Sequence, residues 1–578
     1  MTKHNNIAVK SPPEEDLGGS KIIIYQIFTR LFGNNKTTNK ENGTLEENGS
    51  GKFNAFTSKA LQEIKNLGVT HIWYTGILEH ATQTDYSNYG IWNNHPAIVK
   101  GKAGSPYAVK DYYDVCPDLA TDVAKRMKEF EALVERTHQA NLKVIIDFVP
   151  NHVARQYKSK AKPKKVKDLG ENDDNSYKFN PQNNFYYLPN QAFEGQFDLY
   201  AGSTQRYEEF PAKATGNDCF NAYPTLNDWY ETVKLNYGVD YLGGHQKHFD
   251  PIPDTWVKMK DILLFWASKK VDGIRCDMAE MVPVEFWHWA ITQVKKQYPD
   301  ILFIAEVYNP AEYRNYIFNG KFDYLYDKVG LYDTLRNVTC GYQPTSDITF
   351  CWQQVEDIQQ KMLNFMENHD EQRIASVFFA GDGFAGIPAN IVSTTMNTNP
   401  FMLYFGQELG EQGMDKEGFS GCDGRTTIFD YWNLLSIHNW INSGKFNDKK
   451  LTEEQKLLQS FYKKLLNICL EEKAISEGEF YDLMWLNYEN EEFDSTKQYA
   501  FLRKKENELL LIVANFDSQE VTIRINIPHS VLEHLQISKK QRGKTVNLLN
   551  KTDREEHFSN NITVRIDAKS GKILKYRF

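Results

Sequence analysis

Cysteine is scarce and unpaired in this sequence, which excludes two kinds of stabilising site. The 578 residues contain seven cysteines, an odd number, and no two of them form a C-x-x-C pair. Disulfide frameworks and zinc sites use paired, closely spaced cysteines, so we expect reduced thiols and neither kind of site. The N-terminal sequence MTKHNNIAVKSPPEEDLGG also lacks the apolar stretch of a secretory signal. These features predict a cytoplasmic protein.

Two further absences concern the partners of the protein. No apolar run approaches the roughly 20 residues of a membrane-spanning helix, so we expect no membrane partner. Basic residues are not in excess, since 67 Lys and Arg oppose 76 Asp and Glu, giving a formal net charge of −9. An acidic chain without a basic stripe is poorly suited to nucleic acid. Aromatic residues, at 13%, suit a hydroxyl-rich ligand such as a sugar as well as a large core.

Short apolar runs alternate with amphipathic stretches such as Ser58–Leu67 and Thr255–Lys269. Several runs are apolar throughout, which is typical of parallel strands buried on both faces. Eight strands joined by right-handed crossovers close on themselves, so the pattern predicts the α/β class and a (β/α)8 TIM barrel. The predicted strands are Ile22–Phe28, His71–Tyr74, Lys143–Phe148, Gly273–Cys276, Leu302–Ala305, Phe322–Tyr326, Met362–Met366 and Phe401–Phe405.

The predicted barrel occupies residues 21–150 and 251–470, and other segments flank or interrupt it. Residues 1–20 are polar and contain Pro and Gly, which predicts a loose N-terminal arm. One connection, residues 151–250, is too long for a structureless loop, so we expect an inserted domain after strand 3. Over residues 471–578 apolar and polar residues alternate, which predicts a C-terminal antiparallel β-sandwich.

Polar side chains follow four of the predicted strands. The third strand ends in DFVPNH, the fourth in GIRCD, the fifth in AEV and the seventh in ENHD. Each motif alone has an ordinary structural explanation, such as an ion pair between the Arg and Asp of GIRCD. Active sites of this barrel lie at the C-terminal ends of its strands, however, so these groups converge on one rim. They are Asp147, Asn151, His152, Arg275, Asp277, Glu306, His369 and Asp370.

Converging carboxylates suit the hydrolysis of glycosidic bonds. One carboxylate attacks the anomeric carbon while a protonated one donates to the leaving oxygen. Water then completes the reaction, with the acid now acting as a base. Crowded acids raise the proton affinity of at least one of them, as a general acid requires. Arg275 would keep a neighbouring carboxylate ionised, which favours Asp277 over Asp147 as the nucleophile.

The four motifs, in this order and spacing, resemble the signature regions of the α-amylase family, glycoside hydrolase family 13. The resemblance extends from about residue 20 to the C-terminus. It implies a retaining reaction through a β-glycosyl-enzyme and no organic cofactor. By the same resemblance, Asp277 is the nucleophile, Glu306 is the general acid/base, and Asp370 stabilises the transition state.

The resemblance also implies substrate-binding residues around these carboxylates. Arg275 is similar to the family's arginine beside the nucleophile, and Asp147 to an aspartate that supports the site. His152 and His369 are similar to two histidines that hydrogen-bond the sugar in the −1 subsite. Tyr107, in SPYAVKDYYDV, resembles the tyrosine on which that sugar stacks, although two further tyrosines of this segment, Tyr112 and Tyr113, also fit.

A calcium ion is a possible cofactor, because Asn151 matches an asparagine that binds calcium in the family. Calcium needs six to eight oxygen ligands, and the sequence does not identify the others. The chain also departs from the family pattern. Glu280 and Met281 replace the Lys-His pair of many α-amylases, and Met278 matches neither the usual α-1,4 nor the usual α-1,6 residue. The preferred linkage therefore stays open.

Three functions are compatible with these residues. The first is a retaining hydrolase of α-glucosidic bonds, mainly α-1,4, in starch-derived oligosaccharides or glycogen. The second is a transglycosylase or isomerase of the same family, and the third is a non-catalytic glucan-binding or chaperone relative. Relatives of the third kind lose catalytic carboxylates, whereas Asp277, Glu306 and Asp370 are all present. We therefore expect the first function, with an α-glucan as the partner.

Overall fold

Eight parallel strands close into a barrel in this computed structural model, which describes residues 21–537, 545–554 and 558–577. The predicted N-terminal arm lies outside the described residues. Each strand pairs with its two sequence neighbours, and the last pairs with the first, which confirms the predicted barrel. The strands are β1 (Ile23–Phe28), β2 (His71–Thr75), β3 (Lys143–Phe148), β4 (Gly273–Cys276), β5 (Leu302–Ala305), β6 (Tyr324–Tyr326), β7 (Met362–Phe365) and β8 (Phe401–Tyr404).

Helices follow most barrel strands and cover the outer face of the barrel, so the strands are buried on both faces and mostly apolar. Thr57 and Thr452 cap the first and last of the longer helices through their side-chain oxygens. Within the described ranges, no helix is long and apolar enough to cross a membrane. The α-helices of seven residues or more are Ser58–Asn66, Arg126–Gln139, Asp254–Ser268, Val284–Gln297, Asp333–Thr339, Asp347–Gln354, Ile387–Thr395, Leu435–Ile441 and Glu453–Glu471, with π-helical segments at Asn315–Asn319 and Lys328–Tyr332.

The connection after β3 carries the inserted domain, which contains short antiparallel strand pairs. A second long connection, after β2, contains the strand Leu78–His80, which pairs with Val109–Val115. The sequence analysis did not predict this pair, because the first strand is only three residues long and the pairing is irregular. Ile98 from this connection packs with apolar side chains of the inserted domain. The strand pairs after β3 are His152–Ala154 with Thr232–Lys234, Tyr187–Leu188 with Ala212–Lys213, and Val239–Asp240 with Gln246–Lys247.

The C-terminal region forms an all-β antiparallel domain, as predicted. Val521–Asn526 pairs with Asn561–Ile566, and both strands alternate buried and exposed residues. This alternation places one face of the sheet against the core. The larger sheet contains, in spatial order, Glu479–Asp482, Gln498–Lys505, Glu508–Asn515, Ser570–Arg577, Thr545–Asn547 and Thr552–Arg554.

The helix Ile387–Thr395, between β7 and β8, lies between the barrel and the C-terminal sheet. All of its residues from Pro388 onward are buried. It contacts β7 on one side and the strands Glu508–Asn515 and Ser570–Arg577 on the other. The fit against the sheet is close, since a Cβ added at Gly571 would lie 2.7 Å from Cδ1 of Ile391.

A buried arginine also joins the two domains. Arg503, on the strand Gln498–Lys505, is fully buried and donates to four backbone carbonyl oxygens. Three belong to Ala474, Ile475 and Gly478, at the start of the C-terminal region, and the fourth belongs to Met396, at the end of the helix after β7. One side chain therefore satisfies carbonyl groups of both domains.

We predict that Arg503→Met lowers the free energy of unfolding by about 3–5 kcal/mol, because four buried carbonyl groups lose their donor. The measurement is chemical denaturation followed by circular dichroism. Arg524→Met is the matched control, since Arg524 is exposed and its contact with Glu492, at 3.4 Å, is an ion pair on the surface. This substitution should change the free energy of unfolding by less than about 0.5 kcal/mol. Equal effects of the two substitutions would contradict this role of Arg503.

Candidate active site

The register of the barrel places the predicted catalytic residues at one level of the rim. Arg275 on β4 pairs with Asp147 on β3, and Cys276 pairs with Ala305 on β5. Asp277 directly follows β4. Because Glu306 likewise follows Ala305, two carboxylates leave neighbouring strands side by side.

One guanidinium holds these two carboxylates together. Arg275 is buried, and its Nη1 donates to Oδ1 of Asp277 at 2.7 Å. Its Nη2 lies 2.9 Å from Oε2 of Glu306, and its Nε donates to the hydroxyl of Tyr326 at 3.2 Å. Charge attraction is strong where water is excluded, so the arginine fixes the position of both acids.

Asp277 has one oxygen bound and one free. In the described part of the chain no hydrogen-bond donor reaches its Oδ2, while Arg275 holds its Oδ1. Burial raises the pKa of Asp277, and the charge of Arg275 opposes that rise. A carboxylate that is aligned by one oxygen and free at the other is suited to attack an electrophilic carbon.

Asp370, after β7, completes the set of three carboxylates. Its side chain is 30% exposed, and its Oδ2 lies 3.0 Å from Nε2 of His369. Burial and the charge of Glu306 raise the pKa of Asp370 to about 7. Asp370 is therefore the member of the set that is open to a ligand.

His369 connects Asp370 to Tyr107. Nδ1 of His369 accepts from the amide of Gln26 at 2.8 Å, which places the proton of the neutral ring on Nε2. Nε2 lies 2.5 Å from the hydroxyl of Tyr107, and the two rings stack with centroids 5.2 Å apart. Burial lowers the pKa of His369 well below its ordinary value, and the positive charge of Arg275 adds to this effect.

The position of Tyr107 distinguishes it from the two other tyrosines of its segment. Tyr107 is half-buried, and its ring lies 5.6 Å from the guanidinium carbon of Arg275. The hydroxyl of Tyr112 donates instead to the backbone of Val149, and Tyr113 packs against Phe265. Of the three tyrosines, Tyr107 is the one at the carboxylates.

Asp147 lies beneath the site and is bound from several sides. Its Oδ2 accepts from the indole of Trp73 at 3.0 Å, and its Oδ1 lies 3.6 Å from Arg275 and 3.5 Å from the hydroxyl of Tyr107. Burial raises its pKa to about 6 and Arg275 opposes the rise. With both oxygens occupied, Asp147 is poorly placed to attack a substrate.

His152 contacts Tyr107 and an aromatic residue of the inserted domain. Its ring lies against the backbone of Tyr107 and 5.2 Å, between centroids, from the ring of Trp229. Burial lowers its pKa to about 3, so the ring is neutral near pH 7. It therefore offers a hydrogen bond without charge at the edge of the site.

The structure also shows site residues that the sequence analysis missed. Trp73 binds Asp147, Gln26 binds His369, and the hydroxyl of Tyr308 donates to Oε1 of Glu306 at 2.5 Å. Trp73 and Gln26 lie within barrel strands, and Tyr308 follows Glu306 by two residues. Tyr308 follows a strand end, as the predicted polar residues do, so including aromatic side chains at strand ends would have identified it.

The surroundings of Asn151 do not fit a calcium ion. Its Oδ1 accepts from the buried ammonium of Lys234 at 2.8 Å, and its Nδ2 donates to the carbonyl of Gly216. Lys234 also lies 2.5 Å from Asp218, and burial lowers its pKa while that carboxylate opposes the change. A cation of the chain itself thus occupies the oxygen that would bind the metal. Across residues 21–537, 545–554 and 558–577, no three His, Cys, Asp or Glu side chains are placed to hold one.

The fold and site together define a barrel glycoside hydrolase, and sequence comparison gives its family. The family model for the α-amylase catalytic domain matches residues 26–474, and that for the α-amylase C-terminal all-β domain matches residues 485–577. The chain belongs to the α-amylase family.

Several known proteins are similar over most of the chain. α-Amylase 3 of Dictyoglomus thermophilum is 24% identical over 548 residues, 91% of each chain. Neopullulanase 2 of Thermoactinomyces vulgaris is 20% identical and covers 88% of this chain and 72% of its own. The crystal structure of a noncanonic maltogenic α-amylase from Thermotoga neapolitana superposes with a TM-score of 0.60 at 19% identity, covering 96% of this chain and 99% of its own. This last similarity concerns the fold.

We predict that Lys234→Met lowers the free energy of unfolding by about 2–3 kcal/mol, because Asn151 and Asp218 lose a buried cationic partner. Treatment of the unaltered protein with a chelator should leave its melting temperature unchanged. Lys247→Met is the control, since Lys247 pairs with Glu285 on the surface. A fall of several degrees on chelation would show that a metal stabilises the protein.

Proposed function

We propose that the protein is a retaining hydrolase of α-glucans that cleaves mainly α-1,4 bonds by double displacement. The observation that carries the proposal is the single guanidinium of Arg275, which contacts both Asp277 and Glu306 at adjacent strand ends. It brings a carboxylate with a free oxygen next to a second carboxylate, as attack and protonation on one sugar require. Asp370 supplies the third acid.

In the first step, Oδ2 of Asp277 attacks the anomeric carbon of the bound glucose unit. Glu306, in its protonated form, gives its proton to the leaving glycosidic oxygen, so the bond to the departing sugar breaks as the bond to Asp277 forms. The product is a β-glycosyl-enzyme. Arg275 keeps the attacking carboxylate aligned throughout.

In the second step, Glu306 has lost its proton and acts as a base. It removes a proton from water, whose oxygen attacks the anomeric carbon and releases Asp277. Two inversions restore the α configuration. Asp370 and the neutral rings of His152 and His369 bind the hydroxyls of the sugar, and Tyr107 offers a flat surface beneath it.

The substrates we propose are starch-derived oligosaccharides or glycogen, met in the cytoplasm. Transfer to a second sugar is the alternative outcome, since an acceptor hydroxyl can replace water in the second step. The names of similar proteins include both an α-amylase and a neopullulanase. The preference between linkages stays open, because Met278 matches neither the usual α-1,4 nor the usual α-1,6 residue. The backbone N–H of Met278 donates to Glu306 at 2.8 Å, and its conformation is left-handed, with φ 41°.

We predict that Asp277→Asn reduces the release of reducing sugar from maltoheptaose at least about a thousandfold, because an amide oxygen does not form the glycosyl-enzyme. Circular dichroism should show an unchanged fold. Asp261→Asn is the control, since Asp261 is half-exposed and pairs with the neighbouring Lys260 on the helix Asp254–Ser268. Residual activity of Asp277→Asn within about tenfold of the unaltered enzyme would contradict the nucleophile assignment.

Chromatography of the products from maltoheptaose, pullulan and a cyclodextrin tests the proposed function. We expect shorter maltooligosaccharides from maltoheptaose, all of the α-anomer when first released. Products longer than maltoheptaose would identify transfer as the main reaction, and cleavage of pullulan at its α-1,6 bonds alone would overturn the α-1,4 assignment. No product from any of the three would reject the proposal.

A further inference from the structure

Tyr308 occupies the one oxygen of Glu306 that is left for a substrate. Oε2 of Glu306 accepts from the backbone N–H of Met278 at 2.8 Å and lies 2.9 Å from Nη2 of Arg275. Oε1 accepts from the hydroxyl of Tyr308 at 2.5 Å. Because the barrel rim holds Oε2, the proton of the acid/base must be exchanged at Oε1, where the tyrosine stands.

The segment that carries Tyr308 is held by Glu280, one of the two residues at which the chain departs from the family pattern. Oε2 of Glu280 accepts from the backbone N–H groups of Tyr308 and Asn309, at 3.2 and 3.0 Å. The backbone of Glu280 is in turn bound, because its carbonyl accepts from the hydroxyl of Tyr316. Glu280 thus ties the loop after β4 to the loop after β5 and holds the tyrosine in place.

We propose that Tyr308 is a positioning residue that tunes the acid/base, favouring the ionised form of Glu306 until the leaving-group oxygen of a glucan takes its place on Oε1. A donor to a carboxylate stabilises the ionised form. When the glycosidic oxygen arrives, the hydroxyl moves aside, and Glu306 takes up a proton from solvent at Oε1 and holds it for the leaving group. After that sugar departs, Tyr308 returns to Oε1 and favours the base needed for the second step. This inference rests on the proposed function.

The hydroxyl of Tyr308 is separable from the other groups that act on Glu306. Replacing tyrosine by phenylalanine removes one hydrogen-bond donor and keeps the ring. The remaining charged and titratable groups stay in place, and they come from β3, β4, β6 and the loops after β4 and β7. They are Asp147, Arg275, Asp277, Tyr326 and Asp370.

The test is the pH profile of kcat/KM for Tyr308→Phe on maltoheptaose. The alkaline limb reports loss of the proton that the free enzyme must donate. Without the hydroxyl, we expect this limb to move to higher pH by about one unit. With an α-maltosyl fluoride, which releases fluoride without a proton, the substitution should not move the limb.

Tyr332→Phe is the matched control, since its hydroxyl donates to a different carboxylate, Glu371, at 3.0 Å. It should leave the limb in place. Glu280→Ala is a second variant that keeps the hydroxyl of Tyr308 but frees its backbone, and it should move the limb in the same direction by a smaller amount.

An alkaline limb that stays within about 0.2 units in Tyr308→Phe, with turnover retained, would overturn this inference while the proposed function stands. Equal shifts with maltoheptaose and the fluoride would also overturn it, because the effect would not concern proton donation. Failure of the unaltered enzyme to cleave maltoheptaose would instead reject the proposed function.

Discussion

A buried guanidinium needs anions, and this need shapes the active end of the barrel. Arginine keeps its proton at any pH that a protein experiences, and removing its charge from water costs several kcal/mol unless carboxylates compensate. Arg275 meets this need with Asp277, Glu306 and, at a longer distance, Asp147. The anions that stabilise the arginine are also those proposed to carry the reaction. Stability and chemistry therefore depend on the same few charges.

The barrel and its three acids were predictable because both leave local signals in the chain. Strands buried on two faces are nearly continuous apolar runs, and parallel strands bring all their C-terminal ends to one rim. The contacts of Tyr308 and Trp73 leave a weaker signal, since a single aromatic residue is as common in the core as in a site. Gln26 is harder still, because its partner His369 lies 343 positions away and only the closed barrel brings them together.

The ammonium group of Lys234 beside Asn151 shows a second reason why part of the structure could not be predicted from the sequence. Lys234 is one lysine among many, and nothing in its neighbours marks it as buried. It reaches Asn151 because His152–Ala154 pairs with Thr232–Lys234 across the inserted domain. A resemblance to a family identifies the residue that matches a metal ligand. The side chain that faces this residue, however, depends on the pairing of two strands that are far apart in sequence. The chemistry of that position was therefore decided by tertiary structure.

The helix Ile387–Thr395 has a consequence for how the chain is divided. Its residues from Pro388 onward are all shielded from water, because the barrel covers one side and the C-terminal sheet the other. An isolated barrel that ended near residue 470 would expose buried side chains of this helix to solvent, Ile391 among them. The all-β domain thus completes the burial of a helix that belongs to the barrel, so a division of the chain between the two would uncover part of the barrel's own core.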